Sequence, residues 1–148
     1  RDSITPSAYL HAHPTNQVAT PAMSSWGAGG YGEYWCNQSN AWIYRHLHKM
    51  GERMVELARR FSQADDLQRR VLNQAARELM LAQASDWAFI MKSGTTVAYA
   101  TQRTNDHIKR FHRLTQNLED GDIDEDYLAE VERRDNRFPN RDYRVFAT

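Results

Sequence analysis

From position 43 onward, apolar residues recur at helical spacing. Ile43, Leu47, Met50, Met54, Leu57 and Phe61 follow one another at intervals of 4, 3, 4, 3 and 4 residues. That places them on one face of a helix of about five turns. Ser39 or Asn40 can cap its start by accepting the free amides of the first turn. A second helix begins near Asp65-Asp66, whose carboxylates suit a positive helix end, and its stripe is Leu67, Val71, Leu72, Ala75, Ala76, Leu79 and Ala82. The alanines in mid-stripe permit close approach of a neighbouring helix. The run Asp86 to Met91 is too apolar to be exposed, and Gly94 separates it from a third long helix. That helix carries Val97, Ala100, Thr104, Ile108, Phe111, Leu114 and Leu118, and Gly121 ends it. A short acidic helix over 123–134 turns Tyr127, Leu128 and Val131 inward, and the stretch from Phe138-Pro139 through Phe146 reads as extended or turn-like. No strand alternation of useful length occurs.

The first forty residues are different material. They hold three of the four prolines and four of the seven glycines. A short helix or turn is expected around Pro6 to His11, then an irregular segment ending in Ser24-Ser25-Trp26-Gly27-Ala28-Gly29-Gly30-Tyr31-Gly32. Glycine here marks backbone positions where other residues would clash, so a shaped loop is expected. Its richness in Trp and Tyr speaks against disorder. The predicted fold class is mainly α: a helical bundle of three long helices plus short helices, preceded by a Gly/Trp-rich irregular loop segment.

Composition narrows the partners. A chain of 148 residues suits one domain and buries roughly 68–70% of its unfolded surface. Nineteen Lys and Arg balance nineteen Asp and Glu, which argues against a dedicated nucleic-acid binder, since that needs a net basic face. No segment reads as a membrane span. One cysteine, Cys36, excludes an internal disulfide and fits a reducing, cytoplasmic compartment. The chain opens Arg1-Asp2-Ser3 with neither a secretory signal nor an initiator Met, so it is expected to be a piece of something longer.

Most conventional chemistry is absent. His11 and His13, and His46 and His48, are i, i+2 pairs that point about 200 degrees apart on a helix, while His107 and His112 also diverge; no metal site and no cofactor are expected. Cys36 has no base beside it in sequence and reads as a packing residue. Gly27-Ala28-Gly29-Gly30 lacks the preceding strand and the lysine of a phosphate loop. The acidic run Glu119 to Asp126 lacks calcium-loop spacing and reads as a solvated helix entrance. Asp86 stands among apolar residues, where a lone carboxylate is costly to bury without a partner; it is either so partnered or the N-cap of the helix from Trp87 onward.

The aromatics carry the positive signal. Trp26, Tyr31, Tyr34, Trp35 and Trp42 crowd into seventeen residues, interleaved with glycine and with Asn37, Gln38, Ser39 and Asn40. Indole faces stack on the C–H faces of sugar rings, and amides and hydroxyls bond the ring hydroxyls, so a carbohydrate site needs both kinds close together. Some of these rings can equally fill a core, Trp42 foremost.

Two motifs, Ser24-Ser25-Trp26-Gly27-x-x-Gly30-Tyr31-x-Glu33-x-Trp35-x-Asn37 and Asn40-x-Trp42-Ile43-Tyr44-Arg45-His46-Leu47-His48-Lys49, with Asn73 to Leu79, Gln83 to Ile90 and Phe138-Pro139-x-x-Asp142-Tyr143-Arg144, run through nearly the whole chain. In these stretches the chain resembles the segment after the barrel of glycoside hydrolase family 57, in the subgroup of 1,4-alpha-glucan branching enzymes. The resemblance implies a C-terminal helical domain packed on an incomplete (β/α) barrel, walling its active-site cleft. It implies that Trp26 and Trp35 line glucan subsites, and that Asp86 reaches the catalytic pocket with Trp87 supporting it. By the same resemblance, residues 1–22 are the remnant of the barrel-end helix and its linker. Residues 23–40 are the aromatic substrate loop, and 41–148 the helical C-terminal domain. Tyr31 and Tyr34 match variable positions and receive no role.

Family members use a retaining mechanism, with a Glu nucleophile and an Asp acid/base roughly 5–5.5 Å apart. The resemblance places both upstream of this chain, so no catalytic residue is expected here and the chain alone is expected to be inactive. The partners implied are an alpha-glucan (glycogen, amylose or starch-like) and the upstream barrel, with no nucleic acid and no membrane. Two alternatives stay open: a 4-alpha-glucanotransferase or alpha-amylase of the same family, and a free-standing helical module that binds carbohydrate or protein.

Overall fold

A computed structural model describes residues 3–147. Six α-helices follow one another: α1 (Pro6–Ala12), α2 (Trp42–Arg60), α3 (Asp66–Ala82), α4 (Ser85–Ser93), α5 (Val97–Asp120) and α6 (Glu125–Arg134), and a 3-10 turn (Tyr143–Ala147) closes the chain. The fold is mainly α, with α2, α3 and α5 as its long helices and no strand among the described residues.

Local chemistry accounts for most boundaries. Asp65 caps α3: its Oδ1 accepts from the Gln68 amide at 2.8 Å while Gln68 Oε1 accepts from the Asp65 amide at 3.1 Å, so two orphan donors are satisfied together. α4 and α5 end on Gly94 and Gly121 at φ +80° and +69°, a left-handed turn that a side chain would strain. The start of α2 departs from expectation. Its N-cap is Ala41, without a side-chain cap, and the Ser39 hydroxyl donates to Asn37 Oδ1 instead. Asn40 is fully buried and used in tertiary structure, as described below.

α3 packs along α5, with α2 and α6 on its flanks. The main core joins Met50, Met54 and Leu57 of α2 to Val71, Leu72, Ala75, Ala76 and Leu79 of α3, Phe111, Leu114 and Leu118 of α5, and Leu128 and Val131 of α6. Ala75 and Ala76 are wholly buried there, as their small size suggests. A smaller cluster of Ile43, Met91 and Ala100 sits where the starts of α2 and α5 meet α4, and Trp42 packs against both clusters. Truncating one of the large core side chains to alanine costs about 2–5 kcal/mol.

Three features depart from the periodic pattern. Val97, expected in the α5 stripe, is 40% exposed at the helix entrance. Gln74, Glu78 and His107 are fully buried although polar and outside the predicted stripes. The closing segment is anchored by a buried Tyr143, whose hydroxyl donates to the Phe61 carbonyl at 2.5 Å and whose amide donates to Asn73 Oδ1 at 2.9 Å. Among the described residues, no helix is long and apolar enough to cross a membrane.

Candidate functional site

The glycine-aromatic loop has a fixed shape despite its lack of regular structure. The Ser25 amide donates to the Gly30 carbonyl at 2.5 Å, the Gly30 amide to the Gly27 carbonyl at 3.0 Å, and the Gly32 amide to Ser25 Oγ at 2.5 Å. Gly27 lies at φ +82°, and a Cβ there would stand 2.8 Å from the Tyr34 ring, so only glycine admits that ring. Asn40 ties the loop to the bundle. Its Oδ1 accepts from the Asn37 amide at 2.8 Å, and its Nδ2 donates to the Tyr34 carbonyl at 2.9 Å and to the Ala88 carbonyl of α4 at 3.0 Å. A Lys92–Glu33 ion pair at 2.5 Å adds an exposed second tie.

With the loop held against α4, its rings gather on Phe89. Centroids of Trp26, Tyr34 and Trp35 lie 5.8, 5.4 and 6.3 Å from the Phe89 ring. Trp26 is 64% exposed, and Trp35 is half-buried. Trp35 also walls a cleft of about 150 Å³ with Tyr44, Leu47, Ser85, Trp87 and Ala88. The Tyr44 hydroxyl donates to the Trp35 carbonyl. Burial, reinforced by nearby Cys36, pushes that hydroxyl's pKa up, so it stays a donor. The Trp87 Nε1–H donates to the Leu81 carbonyl at 2.8 Å, which sets the indole's attitude in the cleft wall.

Three of the four singled-out residues thus share one side of the molecule: Trp26 and Trp35 through Phe89, and Trp35 and Trp87 through the cleft. Asp86 is exposed in the first turn of α4, where its charge suits the helix's positive end. It is neither buried nor an N-cap, which is Ala84. Among the described residues its carboxylate makes no hydrogen bond or ion pair. Cys36 is exposed, and so is not the packing residue expected of it. Tyr31 is 84% exposed. Tyr44 and Phe89 were not singled out by sequence; both lie inside stretches that read as helix, where an aromatic facing a cleft looks like one facing a core.

Glu78, His107 and Asp135 bring a carboxylate oxygen, an imidazole nitrogen and a second carboxylate oxygen within 4.8 Å of one another. Their surroundings disfavour a cation. Arg110 donates to Asp135 Oδ2 at 2.7 Å, Arg103 lies 3.7 Å from Asp135 Oδ1, and Glu78 Oε1 accepts from Gln74 at 2.8 Å. Guanidinium groups already supply the positive charge a metal would bring. A second, wider crevice of about 550 Å³ between α2 and α5 is lined by Lys49, Arg53, His112, Gln116 and Glu119 and offers no aromatic platform.

The family of the C-terminal region of 1,4-alpha-glucan branching enzymes matches residues 46–146. The chain belongs to that family. The 1,4-alpha-glucan branching enzyme TK1436 of Thermococcus kodakarensis is 39% identical over 118 residues, which cover 77% of this chain and 18% of that enzyme. Among solved structures, the GH57-type branching enzyme of Pyrococcus horikoshii superposes with a TM-score of 0.88 at 37% identity over 99% of this chain. TK1436, solved in complex with glucose and additives, gives 0.89 at 33% identity over 97%. The alpha-amylase AmyC of Thermotoga maritima gives 0.80 at 48% identity over 98%. This branching-enzyme C-terminal domain spans 26–28% of those solved chains.

Proposed function

We propose that this domain is the glucan-contacting part of an enzyme that cleaves alpha-1,4 links and rebuilds them as alpha-1,6 branches. The observation that carries the reading is the cleft shared by Trp35 and Trp87, with the exposed Trp26 face beside it on Phe89. Apolar walls with a few polar groups at the rim suit a chain of glucose rings. Asp86, without a partner among the described residues, can accept from a sugar hydroxyl, and Trp87 supports it.

The described cleft lining contains no carboxylate, so it offers no nucleophile and no acid/base pair. The domain therefore binds and positions glucan, and the retaining chemistry comes from an upstream (β/α) barrel of the same polypeptide. The domain needs no cofactor. Residues 1–22 are the barrel-end helix and linker, 23–40 the substrate loop, and 41–148 the helical domain. The described residues before the loop support a docked position. α1 buries nothing, and Ile4, Tyr9, Leu10, Val18 and Met23 all stand exposed. One exposed, unbridged cysteine suits a reducing, cytoplasmic setting.

Titration of the 148-residue chain with maltoheptaose, followed by tryptophan fluorescence, tests glucan contact. Trp26→Ala and Trp35→Ala are expected to weaken binding, and unchanged affinity in both overturns the reading. A branching assay on the same chain is expected to show no turnover. The 48% identity to AmyC supports a second reading, in which the parent hydrolyses rather than transfers. A 4-alpha-glucanotransferase of the same family would use the cleft in the same way. Product analysis of the parent enzyme, for new alpha-1,6 links against shortened chains, decides among them.

A further inference from the structure

Behind the cleft wall lies a buried histidine that the binding reading does not use. His107 of α5 is fully buried and does not line the cleft, yet its ring centroid stands 6.4 Å from the Trp87 ring at an interplanar angle of 30°. That is within the range of a favourable offset contact between flat rings. Both ring nitrogens are engaged. Nδ1 is 2.7 Å from Glu78 Oε2, and Nε2 is 3.2 Å from Arg103 Nη2. A guanidinium has donors only, so Nε2 must accept, and the proton of the neutral ring sits on Nδ1 and is donated to Glu78. Flipping the ring would set a C–H against each partner. One orientation is thereby selected.

The partners are themselves held. Gln74 Nε2 donates to Glu78 Oε1, Arg77 donates to Gln74, and Asp135 faces both Arg103 and Arg110, with Arg110 4.0 Å from Asp106. The chain of contacts runs from the end of α6, through α3 and α5, to a ring of α4. We infer that His107 is a positioning residue for the glucan cleft: its imidazole, locked by Glu78 and Arg103, backs the Trp87 indole and, together with the hydrogen bond to the Leu81 carbonyl, fixes the angle of that wall. This deepens the glucan-binding reading and rests on it.

Two substitutions separate positioning from plain structural support. His107→Phe keeps a flat ring behind Trp87 but leaves Glu78 buried without its imidazole partner. It is expected to lower the urea midpoint while maltoheptaose affinity stays within about twofold. His107→Gln keeps an amide donor for Glu78 but removes the ring. Its affinity is expected to fall about tenfold with a smaller change in the urea midpoint. A purely structural role gives the reverse order, with affinity following stability, and overturns the inference. Should His107→Phe fail to fold, the pair Glu78→Gln with His107→Phe removes the stranded carboxylate and serves in its place.

Trp35→Ala is the control. If it loses affinity while His107→Gln keeps it, the positioning inference falls and the glucan reading stands. If neither it nor Trp26→Ala affects binding, the glucan reading falls. The ring contact is then still read in the free chain from the Trp87 indole N–H resonance, assigned by its loss in Trp87→Phe. That resonance is expected to broaden in His107→Gln and to stay sharp in His107→Phe, and an unchanged resonance in both overturns the contact.

Discussion

Asn40 donates its carboxamide to the Ala88 carbonyl at 3.0 Å, joining the last residue of the loop before α2 to the middle of α4, 48 positions away. The same side chain serves the Asn37 amide and the Tyr34 carbonyl, so one buried group holds the loop's end in shape and in place. The meeting of Trp35 and Trp87 in the cleft depends on that placement, because Trp35 comes from the loop and Trp87 from α4.

Asn40→Ala is therefore expected to lose about 2 kcal/mol of stability, since three hydrogen bonds vanish at a fully buried site. Asn40→Asp is expected to be worse, because a carboxylate cannot donate to the two carbonyls. Urea unfolding measures both. Limited proteolysis is expected to cut within residues 24–40 sooner in each variant.

Gly27→Ala strains a backbone at φ +82° and drives a methyl group against the Tyr34 ring, 2.8 Å away. The ring must leave its stack on Phe89, and the cleft loses its neighbour. Expected are a loss of about 1–3 kcal/mol and a changed near-ultraviolet circular dichroism spectrum. Gly29→Ala, with no close neighbour and no positive φ, is the control and is expected to be near neutral.

Two carboxyl groups are expected to give opposite pH trends. Burial pushes the Glu78 pKa above its ordinary 4.5, with His107 opposing. The folded state then holds the proton more tightly than the unfolded chain, so stability falls as pH rises from 4.5 through the folded-state value. Glu78→Gln is expected to flatten that fall. Hydrogen bonds from Arg144 hold Asp142 down at about 2 from its ordinary 3.8. Its contribution is present above 3.8 and is lost as pH falls toward 2. It is small and salt-sensitive, because the pair is exposed. Thermal unfolding from pH 2 to 7, for Glu78→Gln, Asp142→Asn and the parent chain, reads the two limbs separately.

Tyr143 anchors the closing segment through packing and through one hydroxyl. Tyr143→Phe is expected to cost about 1 kcal/mol for the bond to the Phe61 carbonyl, and Tyr143→Ala about 3–5 kcal/mol. Calorimetry of both variants checks the ratio.

The helices were legible because their cause is local. The intervals from Ile43 to Leu57, the Asp65 cap and the left-handed glycines at 94 and 121 each act within a turn or two of backbone. Long-range polar contacts were not legible. Nothing in the neighbours of Asn40 separates a helix cap from a tertiary bridge, and nothing around Asp86 tells a buried carboxylate from an exposed one. His107 has the periodicity of a core position and the chemistry of a surface one, and only Glu78 and Arg103, brought from other turns, reconcile the two.

By itself the sequence determined the helical class, the three long helices, the shaped loop ahead of them and the family likeness, since periodicity, caps and glycine positions are written in order along the chain. The tertiary structure alone decided that Trp35 and Trp87 face one cleft, that Trp26 stacks beside it on Phe89, and that Asp86 stays in solvent. Those depend on where two segments some fifty residues apart come to rest, and that is set by the summed burial of the whole core, not by any local pattern.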